Sequence, residues 1–310
     1  MPTYNCAQWL DGCMESLLAQ DFTDWRVIAR DDASRDGSGD KLANWADRLG
    51  PRMIVLEDSG ACNLGLIGNY NAVLSAAAAP YVMSADPDDS WLPGKITRTL
   101  QAMREAEEQF GWETPLAICT DAEVIDTDGQ PIAPSFWRWS RVDSRMMERL
   151  SRVAIESAAL GSTMMLNRAL LDRALPIERG AAYQDWWLAL VAVAFGRLVA
   201  LPDSTILYRR HSANATGNPY SESLADAVRR TVSRPGAPRS RLESLIKKAA
   251  AQARSFVARY RGSLKPADIA ALEALGDLPN LGSLRRKLAV IRHSLWFGSS
   301  LKNVGLVVLL

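Results

Sequence analysis

The sequence predicts an α/β protein: a mostly parallel, mixed sheet flanked by helices, followed by a helical, basic extension. Three observations carry this. Helical and strand patterns alternate along the front of the chain in the manner of βαβ units. Two apolar strands stop at clusters of aspartate, where an open α/β sheet binds its ligands. The net charge of +1 also hides a split: residues 221–310 hold 16 Lys/Arg against 6 Asp/Glu, and residues 1–220 hold 20 against 29. An acidic front and a basic back suggest two jobs, which we place at 1–217 and 218–310.

The elements follow in order. Residues 6–19 read as a helix with Leu10, Cys13, Met14, Leu17 and Leu18 on one face. WRVIARDD (25–32) is a short apolar strand, 38–48 a helix, PRMIVLED (51–58) a second strand and 67–79 an Ala-rich helix. APYVMSADPDD (79–89) is a third strand that again ends in carboxylates, and a helix over 94–109 follows. LAICTDAEVIDTDG (116–129) is strand-like and ends in an Asp-Gly turn signal. A loop with Phe136, Trp137 and Trp139, TMMLNRA (163–169), a helix over 183–195 and a strand pair over 199–211 complete the front. Helices are expected at 221–233, 240–261 and 265–275. A doubly wound sheet normally places a buried strand before the loop PTYN. Met1 stands directly before Pro2, so that strand is missing or a stub, and the true start is expected upstream.

Composition narrows the class. Four cysteines at unrelated spacings, with no CxxC pair, fit reduced thiols in a cytoplasmic compartment better than a disulfide framework or zinc site. The N-terminus MPTYNCAQW has no basic or apolar signal region, and no apolar run is long enough to span a bilayer.

The carboxylates carry the chemistry. Asp31-Asp32 and Asp86-Pro87-Asp88-Asp89 gather like charges that repel unless a cation or hydrogen-bond donors offset them. A hard divalent cation takes oxygen ligands and is commonly held by one or two carboxylates plus substrate phosphates. Asp86-x-Asp88 therefore reads as a site where a metal bridges protein to a diphosphate, although such triplets also occur as solvated turns.

The segments PTYN (2–5), RDDASRDGS (30–38), NLGLIGNYN (63–71), SADPDDSWLPGKI (84–96), TMMLNRA (163–169), QDWWLAL (184–190) and LYRRH (207–211) occur in that succession. Their order and spacing resemble the family 2 glycosyltransferases of GT-A fold, especially bacterial rhamnosyltransferase-like members that attach sugars to surface polysaccharides. The resemblance covers about residues 1–217.

The resemblance implies roles. Pro2, Thr3 and Tyr4 would lie against the nucleotide base and ribose. Asp32, with Asp31 beside it, would accept the imide N–H of a pyrimidine, so UDP or dTDP is the expected nucleotide; the plainer reading of this pair is a helix N-cap. Asn63 and Gly65 would close over the nucleotide, or merely punctuate a turn. Asp86 would contact ribose or metal, and Asp88 would coordinate Mg²⁺ or Mn²⁺. His211 would join the metal or pyrophosphate, and Arg209 would clamp the diphosphate. Asp185, opening an apolar helix, would be the catalytic base of an inverting transfer to a saccharide or lipid-linked saccharide hydroxyl; the plainer reading is a dipole-stabilised helix acid. Trp186, Trp187, Trp137 and Trp139 would stack on sugar rings or pack the core. Pro87 stands where relatives carry a polar or small residue, so the loop geometry is expected to differ.

Residues 281–310 contain five Lys/Arg and no acidic residue. As an interfacial anchor at an anionic membrane, this stretch would turn Leu281, Leu284, Leu288, Ile291, Leu295 and Trp296 to lipid, with Arg285, Arg286, Lys287 and Arg292 toward headgroups. The plainer reading is a solvated tail. No nucleic-acid motif accompanies the charge, so no nucleic acid is expected as a partner. Two rival functions remain: a nucleotide-sugar-binding protein without transfer activity, and a sugar nucleotidyltransferase. The second expects a glycine-rich, basic phosphate loop that PTYNCAQWLDG does not supply.

Overall fold

A computed structural model of the chain describes residues 1–211, 214, 237–297 and 303. The helix expected at 221–233 and most of the apolar finish over 303–310 lie outside the described residues. The chain forms two compact units, one of Met1–Phe136, Ala159–Ile177 and Tyr183–His211, the other of Trp137–Ala158, Glu178–Ala182 and the described residues beyond His211.

The first unit begins with a parallel three-stranded sheet. β1 (Pro2–Thr3) is a stub that pairs with β2 (Val27–Asp31), which pairs in turn with β3 (Met53–Val55). Helix α1 (Ala7–Leu18) buries Leu10, Cys13, Met14 and Leu17, and α2 (Ser38–Leu49) buries Leu42 and Trp45. Both faces follow from the helical spacing of their apolar residues. Helix α3 (Gly65–Ala76) leads to β4 (Tyr81–Met83), β5 (Ser90–Trp91) and α4 (Lys95–Phe110).

The second sheet of this unit is mixed. β6 (Leu116–Ile125) lies at its centre, with β7 (Pro131–Ala133) paired to its end. β8 (Met164–Asn167) runs antiparallel to β6 and β4. Between β7 and β8 the chain forms α5 (Phe136–Ser140) and α6 (Leu150–Ile155). After β8 come α7 (Arg168–Ala174), α8 (Gln184–Phe195) and β9 (Arg197–Arg209), which is parallel to β6 and antiparallel to β5. The expected strand pair at 199–211 is thus one strand: its register against β6 shifts near Thr120–Asp121, absorbing Pro202 as an irregularity instead of a turn.

Leu100, Met103 and Ala106 of α4, spaced by three, pack on Leu116, Ile118 and Met165 to form the core over this sheet. Gly196 joins α8 to β9 so closely that a Cβ there would meet the Pro115 carbonyl oxygen at 1.9 Å. Trp186 and Trp187 are buried, and Trp187 Nε1 donates to the Ala174 carbonyl at 3.2 Å, so both are core residues and not sugar platforms.

The second unit is helical. α9 (Ala237–Tyr260), α10 (Pro266–Asp277) and α11 (Ser283–Arg292) follow one another, with Ala249, Ala253, Phe256, Leu272, Leu275 and Val290 buried. Trp137, read as a sugar-stacking candidate, is also buried, and its Nε1 donates to the Ala158 carbonyl at 3.1 Å. Helix α11 stops at Arg292. Ser294 takes φ 53°, and the Leu295 N–H returns to the Val290 carbonyl at 3.0 Å. This left-handed cap tucks Leu295 inside, correcting its expected place on a lipid-facing stripe. No helix among the described residues is long and apolar enough to cross a membrane.

Candidate active site

Two knots of aspartates form at the sheet edge of the first unit. In the first, Asp31 ends β2 with both oxygens engaged. Oδ1 accepts from Thr3 Oγ1 at 3.1 Å and Ser34 Oγ at 2.6 Å, and Oδ2 accepts from the Ser34 N–H at 2.9 Å. Asp32 Oδ1 accepts from Arg30 Nη1 at 2.6 Å and the Leu64 N–H at 2.7 Å, while Oδ2 accepts from the Gly65 N–H at 2.9 Å. The pair therefore does not cap the helix that follows it; Asp32 caps the start of α3, a chain segment away. Gly65 adopts φ 71° there, a conformation in which a side chain is strained. Asn63 Nδ2 donates to the Asp32 carbonyl at 2.9 Å. A carboxylate offers about four lone-pair positions, so three bonds leave Asp32 Oδ2 able to take one more donor.

Arg30 organises this knot, and sequence reading missed it. Its side chain is wholly buried, a costly state that only good partners offset. Nη1 meets Asp32 and Asn69, Nε meets Asp58 at 3.1 Å, and Nη2 meets the Cys62 carbonyl at 3.0 Å. The signal was present: a charged residue inside the apolar strand VIARD.

The second knot surrounds the turn after β4. The Asp89 N–H donates to the Asp86 carbonyl at 3.1 Å, closing a four-residue turn with Pro87 at its second position. That position favours proline, so Pro87 presets the turn instead of distorting it. Asp89 is buried and structural: Oδ2 accepts from Ser162 Oγ at 2.7 Å and Oδ1 from the Arg209 N–H at 2.9 Å. Arg209 Nε donates to the Asp88 carbonyl at 3.0 Å, and Nη1 reaches the carbonyls of Asp126 and Thr127, so this side chain pins the turn to the β6–β7 connection.

Asp88 points the other way. Its Oδ2 lies 2.8 Å from His211 Nε2, and the imidazole stacks on Trp9 with centroids 4.2 Å apart. Asp86 accepts a short hydrogen bond from the Tyr70 hydroxyl. Burial, then the charge of Asp88, pushes the Asp86 carboxyl up to about 7. Burial also raises the Tyr70 hydroxyl.

Asp185 opens α8. Its Oδ1 accepts from the Trp186 N–H at 2.6 Å and Oδ2 from the Gly161 N–H at 3.1 Å. Burial raises its carboxyl to about 6, against the pull of those two donors. Its negative charge adds to the repulsion at Asp86 and at Tyr70, so Asp185 shares their electrostatic neighbourhood. The knots meet at α3, whose adjacent Asn69 and Tyr70 bond to Arg30 and Asp86 respectively. Tyr4 is 56% exposed beside the first knot, and Thr3 is buried within it. Pro2 is half-buried in β1.

The second knot brings together oxygen and nitrogen donors of the kind that bind divalent cations. A carboxylate oxygen and an imidazole nitrogen already sit together, and Asp86 carries a charge that burial and repulsion disfavour. Among the described residues no group of three His, Cys, Asp or Glu side chains is placed to enclose an ion. Substrate phosphates and water would supply the remaining ligands, the usual arrangement for Mg²⁺.

Residues 1–151 match the family model for glycosyl transferase family 2. The chain is 27% identical over 226 residues to WfgD of Escherichia coli, a UDP-Glc:alpha-D-GlcNAc-diphosphoundecaprenol beta-1,3-glucosyltransferase, covering 72% of this chain and 80% of WfgD. The chain spans 48% to 63% of the length of three other curated relatives that it matches at 23% to 29% identity. Among solved structures it resembles S. aureus TarS 1–349 in complex with UDP-GlcNAc, with a TM-score of 0.52, 16% identity and coverage of 99% of this chain and 87% of that one. It also resembles the mannosyltransferase PcManGT from Pyrobaculum calidifontis in complex with GDP-Man and Mn²⁺, with a TM-score of 0.51, 17% identity and coverage of 98% and 85%. Residues 1–151 are thus similar to glycosyl transferase family 2, and the chain shares the GT-A fold of these solved structures.

Proposed function

We propose that this protein transfers a hexose or deoxyhexose, rhamnose-like sugars included, from a UDP- or dTDP-sugar to a saccharide hydroxyl, free or lipid-linked, with inversion. Synthesis of a cell-surface polysaccharide at the cytoplasmic side is the setting this reading favours, with residues 1–217 as the transferase region and 218–310 as its extension. The observation that carries the proposal is the convergence of Asp86, the Asp88–His211 pair and Asp185 on one electrostatic neighbourhood next to the Arg30–Asp32 knot.

In this reading Asp88 and His211, with Asp86 beside them, would hold Mg²⁺ or Mn²⁺ together with substrate phosphates, and the metal would stabilise charge on the departing diphosphate. The Mn²⁺ in the PcManGT complex supports a metal of this class. Tyr4, with Pro2 and Thr3, covers the base and ribose, and the remaining acceptor position of Asp32 takes the imide N–H while Asp31 keeps the 31–34 loop in shape. Asn63 and Gly65 form the wall over the nucleotide. Arg209 fixes the turn and places positive charge beside the diphosphate. Asp185 takes the proton from the acceptor hydroxyl as its oxygen attacks the anomeric carbon and the bond to the diphosphate breaks. Burial favours this role, because a carboxylate with an affinity near pH 6 is a stronger base than an exposed aspartate.

The test is a panel of nucleotide sugars assayed for metal-dependent transfer or hydrolysis, with Asp88→Ala and Asp185→Asn beside the wild type. Both variants should fold normally and lose at least about a hundredfold in turnover. Turnover close to wild type in either would remove that residue's role. UDP or dTDP binding without transfer to any acceptor would favour a binding protein instead.

A further inference from the structure

We propose that α11 is an interfacial helix that lays Leu284, Leu288 and Ile291 into an anionic lipid surface. These side chains are 72%, 58% and 58% exposed. At about 100° per residue they share an arc of about 60° on one side of the helix. Val290, nearly opposite, is buried, so the helix is covered on one side and bare on the other. Among the described residues no other helix exposes three large apolar side chains. Solvent is a poor partner for such a stripe.

Charge complementarity selects the occupant. Lys287 borders the stripe on one side, with Arg285 and Arg292 on the other, and no acidic residue occurs anywhere in 281–310. An apolar strip between cationic borders matches a bilayer of anionic headgroups, where the acyl boundary takes the leucines and the phosphates take the arginines and lysine. Arg286 is differently placed: its Nη2 donates to the Pro279 carbonyl at 2.9 Å, holding the helix to the turn before it. The stripe ends with the helix, because Leu295 is folded inward. This surface is independent of the transferase reading, since lipid binding and sugar transfer are measured separately.

The experiment is flotation of the full chain with phosphatidylcholine vesicles, with and without phosphatidylglycerol, beside light scattering of the vesicle-free protein. The wild type should partition about tenfold more strongly to the anionic vesicles, and salt should weaken this. Leu284→Gln/Leu288→Gln/Ile291→Gln should lose about tenfold in partition at an unchanged melting temperature, since it alters only exposed side chains. Arg285→Glu/Lys287→Glu/Arg292→Glu should abolish the preference for phosphatidylglycerol. Wild-type partition by the glutamine variant, or no anionic preference in the wild type, overturns the proposal. So does a dimer that the glutamine variant dissociates, which would assign the stripe to a second copy of the chain.

Discussion

The aspartates of the two knots are the same residue in similar positions, at or just beyond the ends of short strands of one unit, yet their surroundings treat them oppositely. Asp31 and Asp32 are met by hydroxyls, backbone N–H groups and a buried guanidinium, so their charges are compensated within the fold. Asp86 is met by a phenol and by other carboxylates, with a smaller opposing pull from the Met1 amino group, and burial with that repulsion weakens its acidity. Asp185 has two backbone donors, which do not offset its burial. The first knot is compensated within the folded chain, with one acceptor position on Asp32 left over. The second gathers carboxylates whose charge burial and mutual repulsion disfavour, and that contrast is why the proposed chemistry is put there.

Substitution should separate the knots. Asp32→Ala strands a wholly buried guanidinium and two N–H groups at the start of α3, and should cost about 3–5 kcal/mol in denaturant unfolding. A loss below about 1 kcal/mol would break the contrast.

The next effect is kinetic. If Asp185 is the base proposed above, it works only when ionised, so kcat/KM should fall about tenfold per pH unit below about pH 6. A profile flat down to pH 4.5 would show that another group accepts the proton.

The smallest effects are on stability. A carboxyl raised in the folded state binds protons there that the unfolded chain has released, so stability falls as pH rises between the two values. Asp86 and Asp185 are raised to about 7 and about 6, and Asp89 is also raised. The carboxyls held low, Asp11, Asp36 and Asp143, lose their contributions only below that window. The metal-free protein should therefore melt a few degrees lower at about pH 6 than at about pH 4.5. Asp86→Asn, which keeps an acceptor for Tyr70, should flatten that slope and gain about 1 kcal/mol near neutral pH. A steeper slope in the variant would place the stored charge elsewhere.

Much of this arrangement was legible in the sequence. Apolar periodicity located α4 and α9 to within a few residues, and acid clusters at strand ends marked both knots. The partners were not legible, because they come from distant chain segments: Arg30 reaches Asp58, Cys62 and Asn69, and His211 reaches Asp88 across 123 residues. Periodicity also says which residues share a face, but not where the helix stops. Leu295 continues the apolar phase of α11 and still ends up inside, because the chain reverses at Ser294. Proline at 202 likewise reads as a break, whereas long pairing with β6 carries β9 through it.

The buried Arg30 has a thermodynamic consequence for any ligand that closes against the 58–65 segment. Its guanidinium fastens the 58–65 segment to β2 while the chain folds, so the conformational entropy of that wall is lost before any ligand arrives. A ligand closing against it then forfeits little ordering entropy on association, and more of its contact energy is expressed as affinity.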